Sequence, residues 1–67
     1  MIRREYAKIL DNAPSNRVCI KTLKGGYTTY VNNISWVKGG IMIRTYGVYN
    51  SYEDIRLSSR MIKQIYF

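Results

Sequence analysis

The sequence predicts a mainly β domain, five short strands closed into a small barrel, with a short helix before them and a strand or helix after. Three observations carry that expectation. The tripeptide Lys-Gly-Gly occurs twice, at Lys24-Gly25-Gly26 and Lys38-Gly39-Gly40, each time between β-prone runs, where glycines supply the positive φ of tight hairpins. Residues 27–37, between the copies, are dense in β-branched and aromatic side chains. Turn signals recur through the chain, and 67 residues leave room for a barrel but not for a sandwich. The expected organisation is one domain over residues 1–67: a helix at 2–11, the barrel at 17–57 and a C-terminal element at 58–67.

Taken in order, residues 2–11 place Ile2, Tyr6, Ile9 and Leu10 at the three-to-four spacing of an amphipathic helix. A helix of about three turns is unstable alone, so it must dock on an apolar surface, and the open end of the barrel offers one. Asp11 to Asn16, with Pro14 between, supply the residues that stop it. Residues 17–23 alternate, with Val18, Ile20 and Thr22 on one face, and form the first strand. Residues 27–37 form a long second strand whose parity slips: Tyr27, Thr29 and Val31 share one face, Ile34 and Trp36 the other. Asn32-Asn33 is then either a bulge that bends the strand or a turn between two shorter strands.

Residues 41–46 are the third strand, central because Ile41, Met42 and Ile43 are all apolar. Residues 48–52 are the fourth, Glu53-Asp54 a tight turn, and residues 55–57 a short fifth strand. The tail has two readings. Ser51 with Asp54 three residues on matches a capping box, and Tyr52, Ile55, Ile62 and Tyr66 would line a helix from there. The preferred reading is a strand over residues 60–66, since Ser58 and Ser59 fall inside the helical alternative.

Composition narrows function more by exclusion than by motif. With no histidine and four acids, a zinc or calcium cage is not expected, and the Ser-His and Cys-His nucleophile pairs are excluded. Glu53 and Asp54 are adjacent, so in a strand they point apart and form no acid–base pair. The chain is expected to be no enzyme and to need no cofactor. A phosphate loop places its lysine after the glycines and leads into a helix, whereas both Lys-Gly-Gly copies lead into strands. Cys19, the single cysteine, is expected as a small buried hydrophobe in a reducing compartment. The N-terminus has no continuous apolar run, so the expectation is a cytoplasmic protein without a membrane partner.

What remains is charge and aromaticity. Eleven Lys and Arg against four acids give +7, a field that attracts polyanions. Seven tyrosines and one tryptophan are interleaved with those cations, the combination that holds single-stranded nucleic acid: bases stack on rings while cations neutralise phosphates. The candidate contacts are Lys21, Lys24, Lys38 and Arg44 for phosphates and Tyr30 and Tyr46 for stacking. That reading requires Lys21, Lys38 and Arg44 to share a face. Trp36, between Ile34 and Val37, is expected in the core.

A short helix, a loop and five short strands of which the second is long and bent is similar to the Sm-like family, a branch of the SH3-like barrels. The resemblance covers about residues 2–57. It is carried by Val18-Cys19-Ile20 before a glycine turn, Ile41-Met42-Ile43 after a second turn, and Ile55 on a short last strand. Bacterial members carry a Tyr-Lys-His motif between strands four and five where this chain has Tyr52-Glu53-Asp54, and the Arg-Gly pair of eukaryotic members is also missing. The resemblance therefore implies a fold, with a nucleic-acid role and ring assembly as its corollaries, and transfers no binding residue.

The expected function is a small basic regulatory module for RNA or single-stranded DNA, of the kind that phages and mobile elements encode. The alternative is a protein-interaction module or inhibitor that docks on an acidic surface of a larger protein, since exposed aromatics and arginines also make interface hot spots. The apolar end Ile65-Tyr66-Phe67 is the one feature that favours a homo-oligomer.

Overall fold

The computed structural model describes residues 1–46 and 52–67. Within them the chain forms one helix, α1 (Arg3–Asp11), and six strands: β1 (Arg17–Thr22), β2 (Gly25–Tyr30), β3 (Ile34–Val37), β4 (Gly40–Tyr46), β5 (Tyr52–Ser58) and β6 (Ile62–Tyr66). Short 3₁₀ turns at Val31–Asn33 and Ser59–Met61 link β2 to β3 and β5 to β6. The strands make two three-stranded antiparallel sheets, ordered β2-β1-β6 and β3-β4-β5. The mainly β expectation holds. Five strands in a closed barrel is not what the structure contains: among the described residues no strand ladder joins one sheet to the other.

The break between β2 and β3 explains the parity slip. Thr29 and Ile34 both turn inward although they are five residues apart, because the 3₁₀ turn between them resets the alternation and moves the chain from one sheet to the other. At that corner Thr29 Oγ1 donates to the Arg44 carbonyl (3.0 Å), a direct bond from β2 to β4.

Inward residues of both sheets build one core: Val18 and Ile20 from β1, Ile41 and Ile43 from β4, Leu57 from β5, and Ile62 and Ile65 from β6, closed by Tyr6 and Leu10 of α1. Burying each such side chain is worth about 1.5–3 kcal/mol, which is how a domain this small holds without a disulfide. The Tyr6 hydroxyl is satisfied by Ser59 Oγ at 2.6 Å. Ile2, assigned to the buried face of the helix, instead precedes it and is 54% exposed. The helix stops where Asn12 gives both its backbone N–H and its side-chain amide to the Lys8 carbonyl (3.2 and 2.8 Å).

The two Lys-Gly-Gly copies do mark hairpins, with different chemistry. In the first, the loop is Leu23-Lys24, two residues earlier than the glycines suggest, and Thr22 organises it: its hydroxyl donates to the Gly25 carbonyl (2.8 Å) and accepts from the Lys24 N–H (3.2 Å). In the second, the loop is Lys38-Gly39, with Gly39 at φ 78°, a conformation side chains resist. Gly40 is needed for space, since a Cβ there would overlap the Leu57 carbonyl.

Glu53 and Asp54 do not form a turn. They lie within β5, opposite Thr45 and Arg44, where a cross-strand pair outweighs the weak strand preference of acids. The fourth strand expected over residues 48–52 falls outside the described residues except for Tyr52, which begins β5. The tail is a strand: β6 pairs with β1, and no helix runs through Tyr52, Ile55 and Ile62.

Candidate nucleic-acid interface

Strand alternation divides each sheet into a core side and an outer side, and the registers place the outer residues beside one another. On β2-β1-β6 the outer side carries Arg17, Cys19 and Lys21 from β1, Thr28 and Tyr30 from β2, and Gln64 and Tyr66 from β6. Arg17 faces Tyr30, Cys19 lies between Thr28 and Tyr66, and Lys21 lies between Gly26 and Gln64. Tyr30 and Tyr66 are 52% and 49% exposed. The four acids of the sequence, Glu5, Asp11, Glu53 and Asp54, all lie on α1 and β5. The strands of this sheet therefore carry no acidic side chain, and among the described residues none pairs with its cations.

One end of the sheet is further basic. The 3₁₀ turn Ser59–Met61 ties the two hairpin loops together: Ser59 donates from its backbone N–H and its hydroxyl to the Gly39 carbonyl (2.9 and 3.1 Å), and the Leu23 N–H donates to the Met61 carbonyl (3.0 Å). Lys24, Lys38 and Arg60, all exposed, gather there as a rim beyond Lys21.

The outer side of β3-β4-β5 differs. Arg44 Nε donates to Asp54 Oδ1 at 3.1 Å, and that hydrogen bond, then the charge of Asp54, raises the Arg44 pKa above its ordinary value. Two shallow clefts meet at Arg44. One, about 260 Å³, lies among Asn32, Asn33, Ser35, Met42, Arg44 and Asp54. The other, about 220 Å³, reaches from Arg44 and Asn33 past Thr28 to Tyr30 and Tyr52. They share Asn33 and Arg44 at the corner between the sheets, the second groove running along the β2 edge.

The sequence-derived candidates are thus distributed along a path. Lys24 and Lys38 sit on the rim, Lys21 next to it, and Tyr30 at the far end of the sheet. Arg44 lies past the corner, in contact with the groove that Tyr30 also lines. Tyr46 ends β4 opposite Tyr52, and its side chain is outside the described part of the structure. The requirement that Lys21, Lys38 and Arg44 share one face is not met: Lys21 is on the outer side of one sheet, Arg44 on that of the other and Lys38 in a turn. Lys21 is four residues from the Arg17 end of β1, about 13 Å at strand rise. Arg17 and Tyr66 share this side with Lys21 and Tyr30: Arg17 follows from its phase with Lys21 in the sequence, whereas the place of Tyr66 depends on β6 pairing with β1.

Two further expectations fail locally. Cys19 is half-buried on the outer side, with its sulfur 3.8 Å from Thr28 Oγ1, rather than in the core. Trp36 is 44% exposed: β3 is an edge strand, and the ring lies over the seam with α1, stacked on Tyr6 (centroids 5.7 Å apart, planes within 9°). The Arg3 guanidinium stands 5.0 Å from the Trp36 ring centre and donates to the Val37 carbonyl (2.8 Å). Among the described residues there is no cluster of three or more metal-ligating side chains, and no helix is long and apolar enough to cross a membrane. Comparison with protein-family models, with curated proteins and with solved structures finds no match to the chain.

Proposed function

We propose that the protein is a small regulatory module that binds single-stranded RNA or DNA on the outer side of β2-β1-β6. The observation that carries the reading is a sheet face with Arg17, Lys21, Tyr30 and Tyr66 and without an acidic side chain. Arg17 and Lys21 neutralise phosphates, aided by the rim of Lys24, Lys38 and Arg60, and the two tyrosines stack bases. No step of chemistry is assigned to it, and the setting it suits is the cytoplasm of a cell or of a phage-infected host. If β2 and β3 are counted as halves of one bent strand, the order of elements becomes a helix and five strands. That order supports a distant kinship with the Sm-like barrels.

Fluorescence anisotropy of the whole protein with random-sequence RNA and DNA single strands tests it. Three or four phosphate contacts give log K a slope against log salt of roughly −2 to −3. An absence of binding at low salt would end the reading.

A second reading, docking on an acidic protein surface, is favoured by the seam: the exposed Trp36 and Arg3, in contact with each other, are residue types that dominate interface hot spots. Under it, Trp36→Ala abolishes capture of a stoichiometric partner that survives nuclease treatment, and oligonucleotides do not compete.

A further inference from the structure

We propose that the cleft between Asn33 and Asp54 is a base-reading site that prefers guanine, with the Asp54 carboxylate as the reading group. The proposal rests on the single-strand reading above and adds a specificity to it. At about 260 Å³ the cleft is smaller than the ~300–1,000 Å³ of sites for drug-sized ligands, room for one flat ring system rather than two. Its floor is the half-buried Met42, whose thioether is a favourable partner for an aromatic ring. Its walls are polar, and their hydrogen-bonding capacity is largely unspent. Among the described residues Arg44 bonds through Nε alone, leaving both terminal nitrogens, while Asp54 Oδ2, the Asn33 amide and the Ser35 hydroxyl have no protein partner.

The donor and acceptor pattern selects the ligand. An ionised carboxylate only accepts, with about four lone-pair sites, so Asp54 can hold Arg44 Nε and still receive two more donors. Guanine alone among the common bases presents two adjacent N–H donors on its Watson–Crick edge, N1–H and the 2-amino group. Adenine and cytosine set a ring acceptor beside their amino group, and uracil or thymine flanks N3–H with two carbonyls; each would press a lone pair against the carboxylate. Arg44 makes this possible on an anionic strand, because the Arg44–Asp54 pair is neutral and does not repel the phosphates. The groove toward Tyr30 and Tyr52 then leads the neighbouring nucleotide onto the stacking face.

The test uses labelled oligouridylate and oligothymidylate strands with one central G, inosine, A or C, measured by anisotropy with the whole protein and with Asp54→Asn. The expected preference is about five- to tenfold for G over A or C, the low end for a bidentate base contact because Asp54 is 48% exposed. Inosine, lacking the 2-amino group, loses most of it. Asp54→Asn levels the four strands, the G strand falling to the affinity of the A and C strands. Equal binding of all four strands by the unaltered protein overturns the guanine site and leaves the single-strand reading standing. A preference for G that persists in Asp54→Asn also overturns it. No binding to any strand overturns both readings together.

Discussion

The outer sides of β2-β1-β6 and β3-β4-β5 rest on the same core and have the same number of strands, yet they differ in how their charges are disposed. On the first, Arg17 and Lys21 stand in line along one strand, flanked by Tyr30 and Tyr66, and no acid falls on any of its strands. On the second, Arg44 is engaged by Asp54 and surrounded by amides and hydroxyls. The first face is suited to attraction without discrimination, because unpaired cations and flat rings accept any nucleotide. The second is suited to discrimination at Arg44, because its neutral pair with Asp54 reads hydrogen-bond pattern rather than charge. The corner at Val31–Asn33, where the chain leaves one sheet for the other, brings Tyr30 of the first sheet and Arg44 of the second to the lining of one cleft.

The most drastic way to break the comparison is to remove what the faces share. Leu57→Ala or Ile41→Ala in the common core should cost about 2–5 kcal/mol, a large part of the stability of so small a domain, and both faces should fail together in thermal unfolding and in binding. Arg17→Glu with Lys21→Glu should spare the fold and weaken single-strand binding about 100-fold at low salt. The salt slope should flatten by about 1.4, twice the ~0.7 per phosphate contact. Tyr30→Ala and Tyr66→Ala should each cost about 1–3 kcal/mol of affinity with the salt slope unchanged, since stacking carries no counterion release. Trp36→Ala should lower the melting temperature by loss of the Tyr6 stack, worth about 0.5–1.5 kcal/mol beyond its buried area, and leave oligonucleotide affinity alone. If it weakened binding as much as Tyr30→Ala, the seam with α1 rather than the sheet face would be the interface.

The elements that could be read from the sequence are those set by local pattern. Val18, Ile20 and Thr22 face the core as their alternation requires, and Tyr6 and Leu10 do so at helical spacing. What escaped depends on partners distant in the chain. Glu53 and Asp54 look like a turn until Arg44 and Thr45 pair with them, and Trp36 looks like core until an edge strand and a short helix leave its ring at their seam. The path of cations was partly legible for the same reason. Lys21 and Arg17 share a face by simple period two, and the absence of acids between residues 12 and 52 is visible in the sequence. Which sheet each cation joins depends on the 3₁₀ turn at Val31–Asn33, which puts Arg44 in a different sheet from Lys21.

The central claim is that position, and not total charge, makes the binding face. Two double variants with the same change in net charge separate these: Arg17→Glu with Lys21→Glu on the acid-free sheet, and Arg4→Glu with Lys8→Glu on α1, all four residues being exposed. Anisotropy with one random-sequence single strand across a salt series should show the first variant losing most of its affinity and salt dependence while the second stays within a few-fold of the unaltered protein. Equal losses in the two would contradict the account, because the strand would then be responding to the net charge of +7 alone.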